Sequence, residues 1–563
     1  MSLAGRLGPL LAGLYPGRAD EVRRDLLALA SAWQGPIDAR LSAHPARRLD
    51  AGTAYLITYG DAIRRDGQVP LRALAGVLED VVGDAVTDVH LLPLYPWTSD
   101  DGFAVVDHRE VDPALGSWHD VAVLGARHGL MLDLVANHVS AASPWFSGWL
   151  AGDRARAGYF LDPPPGFDTS RVVRPRTTPL VHRFPRPDGT TARAWTTFGP
   201  DQVDVDVRTP AVLLDLTDVL LGYVARGATT VRLDAIGFLW KESGTTCLHL
   251  PQTHAVIQVW RALLDALAPG VRLLTETNVP HAENVAYFGD GQDEAHMVYQ
   301  FALPPLVLHA FVTGDASVLT RWAASIGPVG PDATFFTFLA SHDGIGMRPT
   351  EGLLDDDARA LLVDRAVSHG GRVSWAARPD GTPTVYELNV NYLDALAEPG
   401  ADVGDVVRRG LAAHSILLAM VGVPALYYHS LLGSSADRAG MEASGINRRI
   451  NREVLDADRL ARELVDSPRR RAVLAGLRRL LAVRRAHTAF APDAPAQVET
   501  VDRRLLVVRR GTGAEAVTTV TNVSDQRVAV PWLRGTDLLT GREVAELGPH
   551  GFAWVRGGTP PRG

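Results

Sequence analysis

A chain of 563 residues with 46% apolar and 21% charged residues has the make-up of an ordinary globular protein, with room for roughly two to four domains. Its formal net charge of −8 argues against nucleic acid or an anionic membrane as the main partner. The single cysteine, Cys247, excludes an intrachain disulfide and fits a reducing, cytoplasmic setting.

The opening MSLAGRLGPLLAGLYPGR has the apolar tone of a signal peptide. Pro9, Gly13 and Pro16 interrupt it, however, and no small-residue cleavage site follows. It reads as a surface helix, the first of two or three over residues 1–50. No apolar run elsewhere reaches the ~18 residues that a membrane span needs.

From residue 51 short apolar runs alternate with helical stretches. The predicted strands are residues 54–60, 88–94, 129–138, 229–236, 272–278, 297–303, 334–343 and 423–429. Between them lie helical patterns such as 71–83 and 254–268. Eight strands with helical crossovers imply an α/β fold, a (β/α)8 TIM barrel over 51–490. In that fold the active site is built at the C-terminal ends of the strands. Two connections are too long for plain crossovers: 140–200, rich in Pro and Arg, and 344–404, which reads as a long irregular loop. The stretch 468–490 reads as the last barrel helix. After it, RRLLVVRR, AVTTVTNV, RVAVPWL and FAWVR predict a small antiparallel β domain over 491–563, with a frayed Gly/Pro/Arg tail after Gly557.

Three carboxylates end apolar runs: Asp234 in VRLDAIG, Glu276 in LLTETN and Asp343 in FLASHDGIG. Glycosidic chemistry with retention needs one carboxylate nucleophile and one carboxylic acid across an anomeric carbon. A third can stabilise the oxocarbenium-like transition state by its charge. Arg232 shares a strand face with Asp234, and its guanidinium is expected to keep that carboxyl ionised. A lone Asp at a strand end is more often a cap. Four motifs in order on eight strands, DLVANH (133–138) and the three just given, outweigh that reading.

DLVANH (133–138), VRLDAIG, ETN and ASHDGIG resemble the four signature regions of the α-amylase superfamily of glycoside hydrolases. More narrowly, LLPLYPWTSDDGFAVVDHREVDPALGSW, RLDAIGFLWKESGTTCLHLPQTH, YQFALPPLVLHAF and SHDGIG resemble the sucrose phosphorylase subfamily. The resemblance spans roughly residues 50–490. It implies an inserted B domain over 140–200, an acceptor-side loop over 344–404, and no obligatory metal or other cofactor, with inorganic phosphate as co-substrate. It also implies Asp234 as nucleophile, Glu276 as general acid/base and Asp343 as transition-state stabiliser. Asp100, Phe103, His138, Arg232, His342 and Arg448 would hold the transferred glucose. Arg452 is chemically equal to Arg448, and only the alignment of RRINR favours the earlier residue. Asn137 reads as a structural hydrogen-bonder rather than a calcium ligand, Asp133 as a brace, and Trp240 and Trp260 as core.

On the acceptor side, RPR (174–176) resembles the acceptor loop of sucrose phosphorylases, pointing to Arg176 and, from TPTVYELN, Tyr386. Thr384 stands where fructose-binding enzymes carry Asp, and Phe238 replaces a Tyr. The FLWKE string and ETNVPHAEN look more like the glucosylglycerate phosphorylase branch. The expected substrates are thus phosphate and a small glucoside, 2-O-α-glucosylglycerate ahead of sucrose or sucrose 6′-phosphate. A hydrolase or transglucosidase using the same carboxylates is the competing class, and a silent carbohydrate-binding relative a third. Oligomeric state is not legible.

Overall fold

The computed structural model describes residues 2–45, 47–377 and 382–557. Eight parallel strands close into a barrel: β1 (Tyr55–Thr58), β2 (Asp88–Leu91), β3 (Gly129–Val135), β4 (Ala228–Asp234), β5 (Arg272–Thr275), β6 (Met297–Tyr299), β7 (Thr334–Phe338) and β8 (Val423–Tyr427). Each pairs with its successor, and β8 returns to β1 with Ala425 opposite Tyr55 and Tyr427 opposite Ile57. Apart from Thr229 in β4, these strands are buried along their whole length, as a parallel sheet covered by helices requires.

Seven fall inside the predicted runs and β4 starts one residue ahead of its run, at Ala228, but the ladders stop earlier than the apolar pattern does. β3 ends at Val135 rather than His138, β5 at Thr275 rather than Asn278, and β7 at Phe338 rather than Asp343. Apolar character continues past each ladder because the following turns are themselves buried. Those turns carry the polar residues of the site.

The N-terminal segment forms two helices, α1 (Leu3–Leu14) and α2 (Ala19–Ala43). Leu7, Leu11 and Leu14 recur on one face of α1 and are buried, each contributing about 2 kcal/mol of hydrophobic stabilisation. Pro9 does not interrupt α1; its ring lies on the exposed face. These helices pack on the crossover helices α3 (Pro210–Ala225) and α4 (Pro251–Leu267). Polar ties fix them there: Tyr15 donates to the carbonyl of Val207 at 2.7 Å, the Trp33 indole to Asp218 at 2.9 Å, and Arg6 to Asp265 at 2.9 Å.

After β3 the insertion is closed at its base by His138–Ser140 paired antiparallel with Gln202–Asp204. Between them come a helix, Pro144–Leu150, and a hairpin, Val181–Pro185 with Thr191–Trp195. Leu161, Val172, Trp195 and Cys247 form a separate small core beneath it.

The described residues of 344–404, expected to be irregular, form regular elements. They include α5 (Asp356–Ser368), whose first turn is capped by Asp355. A hairpin of Arg372–Ala377 with Pro383–Asn389 follows, and Ile345–Gly346 adds a third strand. Its polar composition and a register irregularity between Ser374 and Trp375 hide the period-two pattern on which a strand reading depends. An isolated bridge between Arg174 and Ala377 joins this hairpin to the insertion.

The C-terminal part is a four-stranded antiparallel sheet, Ala496–Glu499, Leu505–Arg510, Val517–Asn522 and Phe552–Arg556, with a two-stranded ribbon of Val528–Ala529 and Glu546–Leu547. It follows the last barrel helix, α6 (Pro468–Arg485). The run RVAVPWL pairs only at Val528–Ala529; Pro531, without an N–H, cannot extend the ladder. The buried Arg510 ties the sheet to the barrel by donating to the carbonyls of Ala419, Met420 and Ala491. The tail from 558 onward lies outside the described residues. Among those residues no helix is long and apolar enough to cross a membrane.

Candidate active site

The period-two alternation of β4 turns Arg232 and Asp234 to the same side. Arg232 donates to Asp234 Oδ1 at 2.8 Å and also to Asp133 on the neighbouring β3. Asp133 is held in turn by His90 Nε2 of β2 at 2.6 Å. The chain then turns sharply at Ala235, in the left-handed region with φ 47°, which aims its N–H at Glu276 Oε2, 2.9 Å away. Arg232 Nη2 stands 3.9 Å from the same oxygen. One guanidinium thus organises three carboxylates from β3, β4 and the end of β5.

The electrostatics depart from the simplest expectation. Burial pushes the Asp234 carboxyl well above the ordinary range; Arg232 pulls it down, while Glu276, Asp133 and Asp343 push it up again. Arg232 therefore does not by itself keep Asp234 ionised, because burial and then the neighbouring carboxylates outweigh its pull. Burial also raises Glu276, opposed by Arg232 and by the Ala235 N–H. Against the pull of burial, Arg232 and then His90 hold Asp133 below its ordinary value. Two elevated carboxyls side by side retain a proton between them more readily than isolated acids do.

Beyond β7, Asp343 meets Arg448 Nη1 at 2.7 Å. Glu387, on the hairpin, fixes the rest of that guanidinium through two bonds of 3.0 and 2.7 Å. Arg452 lies behind, donating to the His342 carbonyl at 2.8 Å and to Asp101 at 2.6 Å, with Asp343 at 3.6 Å. Both arginines belong to the site: Arg448 reaches the cavity and Arg452 braces its wall. The Phe103 ring stacks on His342 at 5.0 Å and 7°. His138 Nε2 contacts the Phe103 carbonyl at 3.0 Å and Gln202 Nε2 at 3.2 Å. Burial lowers His138, and burial with Arg452 and Arg232 lowers His342 further, so both stand as neutral imidazoles. Asp100 and Asp101 have φ of 53° and 50°, and Gly102 follows at 110°. A Cβ at Gly102 would lie 2.9 Å from the Pro93 carbonyl, so this tight turn is specified by glycine.

All eleven sequence-derived site residues surround one region. Asp100, Phe103, His138, Arg176, Asp234, Glu276, His342, Asp343, Tyr386 and Arg448 line a cavity of about 540 Å³, and Arg232 lies just beneath its floor. The Arg176 guanidinium sits 5.1 Å over the Tyr386 ring and 5.6 Å over Phe198. Phe238 and Thr384 line the same space.

Several participants were not singled out from sequence: Glu387, Asp101, His90, Gln202, Arg359 and Lys241. Glu387 carried a weak signal, as a carboxylate beside Tyr386 in TVYEL. Lys241 had none. Its buried ammonium bridges Asn137 Oδ1 and Asp204 Oδ2 at 2.8 Å each, giving Asn137 a structural role. Trp240 and Trp260 are buried, as expected of core.

The α-amylase catalytic domain family matches residues 78–326. A barrel with Asp, Glu and Asp at the ends of its fourth, fifth and seventh strands agrees with that match, and the chain belongs to the α-amylase superfamily. It is 47% identical to the glucosylglycerate phosphorylase of Allomeiothermus silvanus over 93% of this chain and 96% of that one. It is 43% identical to the glucosylglycerate phosphorylase of Escherichia coli, over 90% and 92%. With the sucrose phosphorylase of Agrobacterium vitis it shares 32% identity over 85% and 96%. The crystal structure of sucrose 6F-phosphate phosphorylase from Thermoanaerobacter thermosaccharolyticum superposes with a TM-score of 0.74 at 25% identity, over 85% of this chain and 96% of that one. Within the superfamily, the chain is a member of the sucrose phosphorylase-like subfamily.

Proposed function

We propose that this enzyme is a retaining α-glucoside phosphorylase that converts 2-O-α-glucosylglycerate and phosphate into α-glucose 1-phosphate and glycerate. The relatives' identities support the acceptor. The observation that carries phosphorolysis is the cavity's outer half, where Arg176 lies stacked on rings with no carboxylate paired to it among the described residues. A phosphate needs such a donor, whereas water does not.

In this reading Asp234 attacks the anomeric carbon while Glu276 gives its proton to the departing oxygen. Arg232 contacts Asp234 directly and Glu276 only at 3.9 Å, which favours the charge on Asp234 and the shared proton on Glu276. The glucosyl–Asp234 ester then yields to a phosphate oxygen, and two inversions give net retention. Asp343, shared with Arg448, places negative charge beside the developing oxocarbenium. His138, His342, Asp100 and Phe103 hold and shape the glucosyl unit, while Arg176 and Tyr386 face the acceptor or phosphate. Acid, nucleophile and charge stabilisation all come from side chains, so we assign no cofactor beyond the co-substrate phosphate. The lone cysteine supports a cytoplasmic setting.

The test is glucose 1-phosphate release from glucosylglycerate, sucrose, sucrose 6′-phosphate and glucosylglycerol, each with and without phosphate. Phosphate-dependent release from glucosylglycerate is the expected result. Release from sucrose or its phosphate instead would reassign the acceptor. Free glucose at the same rate without phosphate would make the enzyme a hydrolase.

A further inference from the structure

The cavity's two halves differ in how their charges are balanced. In the inner half every guanidinium has a carboxylate: Arg232 has Asp133 and Asp234, Arg448 has Glu387 and Asp343, and Arg452 has Asp101. Towards the mouth, Arg348 is offset by Glu283 at 3.5 Å. Arg174, Arg176 and Arg359 have no ion-pair partner among the described residues, and they face a single unpaired carboxylate, Glu351.

Arg176 stands nearest the chemistry, since Tyr386 beneath it lies in the field of both Arg176 and Glu276. Arg359 comes from a different element, the first turns of α5, and is half-buried. Among the described residues, the hairpin wall beside it carries Ala376, Ala377, Thr384 and Val385, none of which can neutralise it. Phosphate must bring an oxygen to the anomeric carbon, close to Glu276. In glycerate the reacting oxygen is on C2, so its carboxylate projects one carbon further from that centre. Two anion positions at different depths therefore need two cations.

We propose that Arg359 is the specificity-determining residue that grips the acceptor's carboxylate, leaving Arg176 to serve phosphate. This rests on the glucosylglycerate reading above. A guanidinium can meet a carboxylate through two parallel bonds, which an ammonium cannot reproduce. A neutral acceptor such as glycerol gains nothing from it.

The experiment is run in the synthetic direction with the full-length enzyme and its Arg359→Gln and Arg359→Lys variants, using glucose 1-phosphate with either glycerate or glycerol. Losing a bidentate charged contact raises KM for glycerate about tenfold or more and lowers the glycerate-to-glycerol ratio of kcat/KM equally. KM for glucose 1-phosphate stays within about twofold, and Lys restores part of the loss. An unchanged KM for glycerate in Arg359→Gln overturns the assignment, and so do equal losses with both acceptors, the mark of a structural role. If the unmodified enzyme makes glucose 1-phosphate from another glucoside and ignores glycerate, the substrate reading falls first and takes this role with it.

Discussion

Replacing Glu387 by Gln separates a poised Arg448 from one that merely fills space. Arg448 holds Glu387 through bonds of 3.0 and 2.7 Å, Asp343 at 2.7 Å and Asp100 at 4.0 Å. The amide keeps one acceptor oxygen but turns its NH2 towards the guanidinium, so one charge-assisted bond is lost and a like-polarity contact replaces it. Hydrogen bonds to charged groups contribute roughly 1.5–3 kcal/mol. With its anchor weakened, the guanidinium settles on Asp343, the nearest remaining carboxylate, and neutralises the charge that the transition state needs. At about 1.4 kcal/mol per factor of ten, kcat/KM for phosphorolysis should fall roughly 10- to 100-fold. The effect should be the same in the synthetic direction, because both directions share one glucosyl unit, and KM for phosphate should hardly move. Glu387→Leu leaves a buried guanidinium half-unpaired and should also destabilise the fold, by about 3–5 kcal/mol. The measurement is initial rates of glucose 1-phosphate formation beside a thermal midpoint for each variant. Wild-type kcat/KM in Glu387→Gln at an unchanged midpoint would show that the anchor has no part in positioning Arg448.

Asp234→Asn and Glu276→Gln should abolish turnover yet raise the thermal midpoint near pH 8. Both native carboxyls are raised by burial, so their native-state stability is full below the ordinary carboxylate pKa of about 4 and is lost as pH rises through the folded values. The gain over wild type should therefore shrink on acidification; at roughly 1 °C per kcal/mol for a chain this long, calorimetry can resolve it, and a gain that does not change with pH refutes the linkage. Arg176→Ala should weaken phosphate use more than formation of the glucosyl-enzyme, followed by single-turnover rates; equal losses in both would remove its role. Arg510→Met strands the carbonyls of Ala419, Met420 and Ala491, each costing about 1–3 kcal/mol when buried and unpaired. Limited proteolysis should then cut near residue 491 far faster than in the wild type, and an unchanged cleavage pattern would show that the sheet is held by other contacts.

The barrel was legible because its signal is redundant: eight buried runs at crossover spacing leave few topologies. Asp234, Glu276 and Asp343 were legible because each interrupts an apolar run with a charge that has no packing reason to be there. What stayed hidden was the pairing of charges. Glu387 and Arg448 are 61 positions apart in sequence, and Asp101 and Arg452 are separated by 351. No local pattern joins such residues; only barrel closure and the folding back of the hairpin do. The paired strands Arg372–Ala377 and Pro383–Asn389 were missed for a related reason, since their inward side faces a polar cavity and so lacks the apolar alternation by which strands are read. Lys241 shows the same limit, because in sequence it is simply a lysine after a tryptophan.

The division between the paired inner guanidiniums and Arg174, Arg176 and Arg359, which have no ion-pair partner among the described residues, follows from what each half must bind. The glucosyl unit is neutral in substrate and product and in the proposed ester intermediate, so the inner half gains from a fixed lattice in which each guanidinium is held by a carboxylate and each carboxylate is oriented. Such pairing also limits the cost of burying the charges, because an isolated buried ion is far less stable than a hydrogen-bonded pair. With glucosylglycerate as the proposed substrate, the outer half must release one anion and accept another within a single turnover. A cation already paired to a protein carboxylate would have to break that bond each time, and would discriminate weakly between phosphate and water. Unpaired arginines are tolerable there because the mouth is open to solvent, and stacking on Tyr386 and Phe198 steadies Arg176 without neutralising it. The choice between phosphate and water is thus made by side chains that do not touch the reacting carboxylates, so one barrel floor can serve hydrolases and phosphorylases alike.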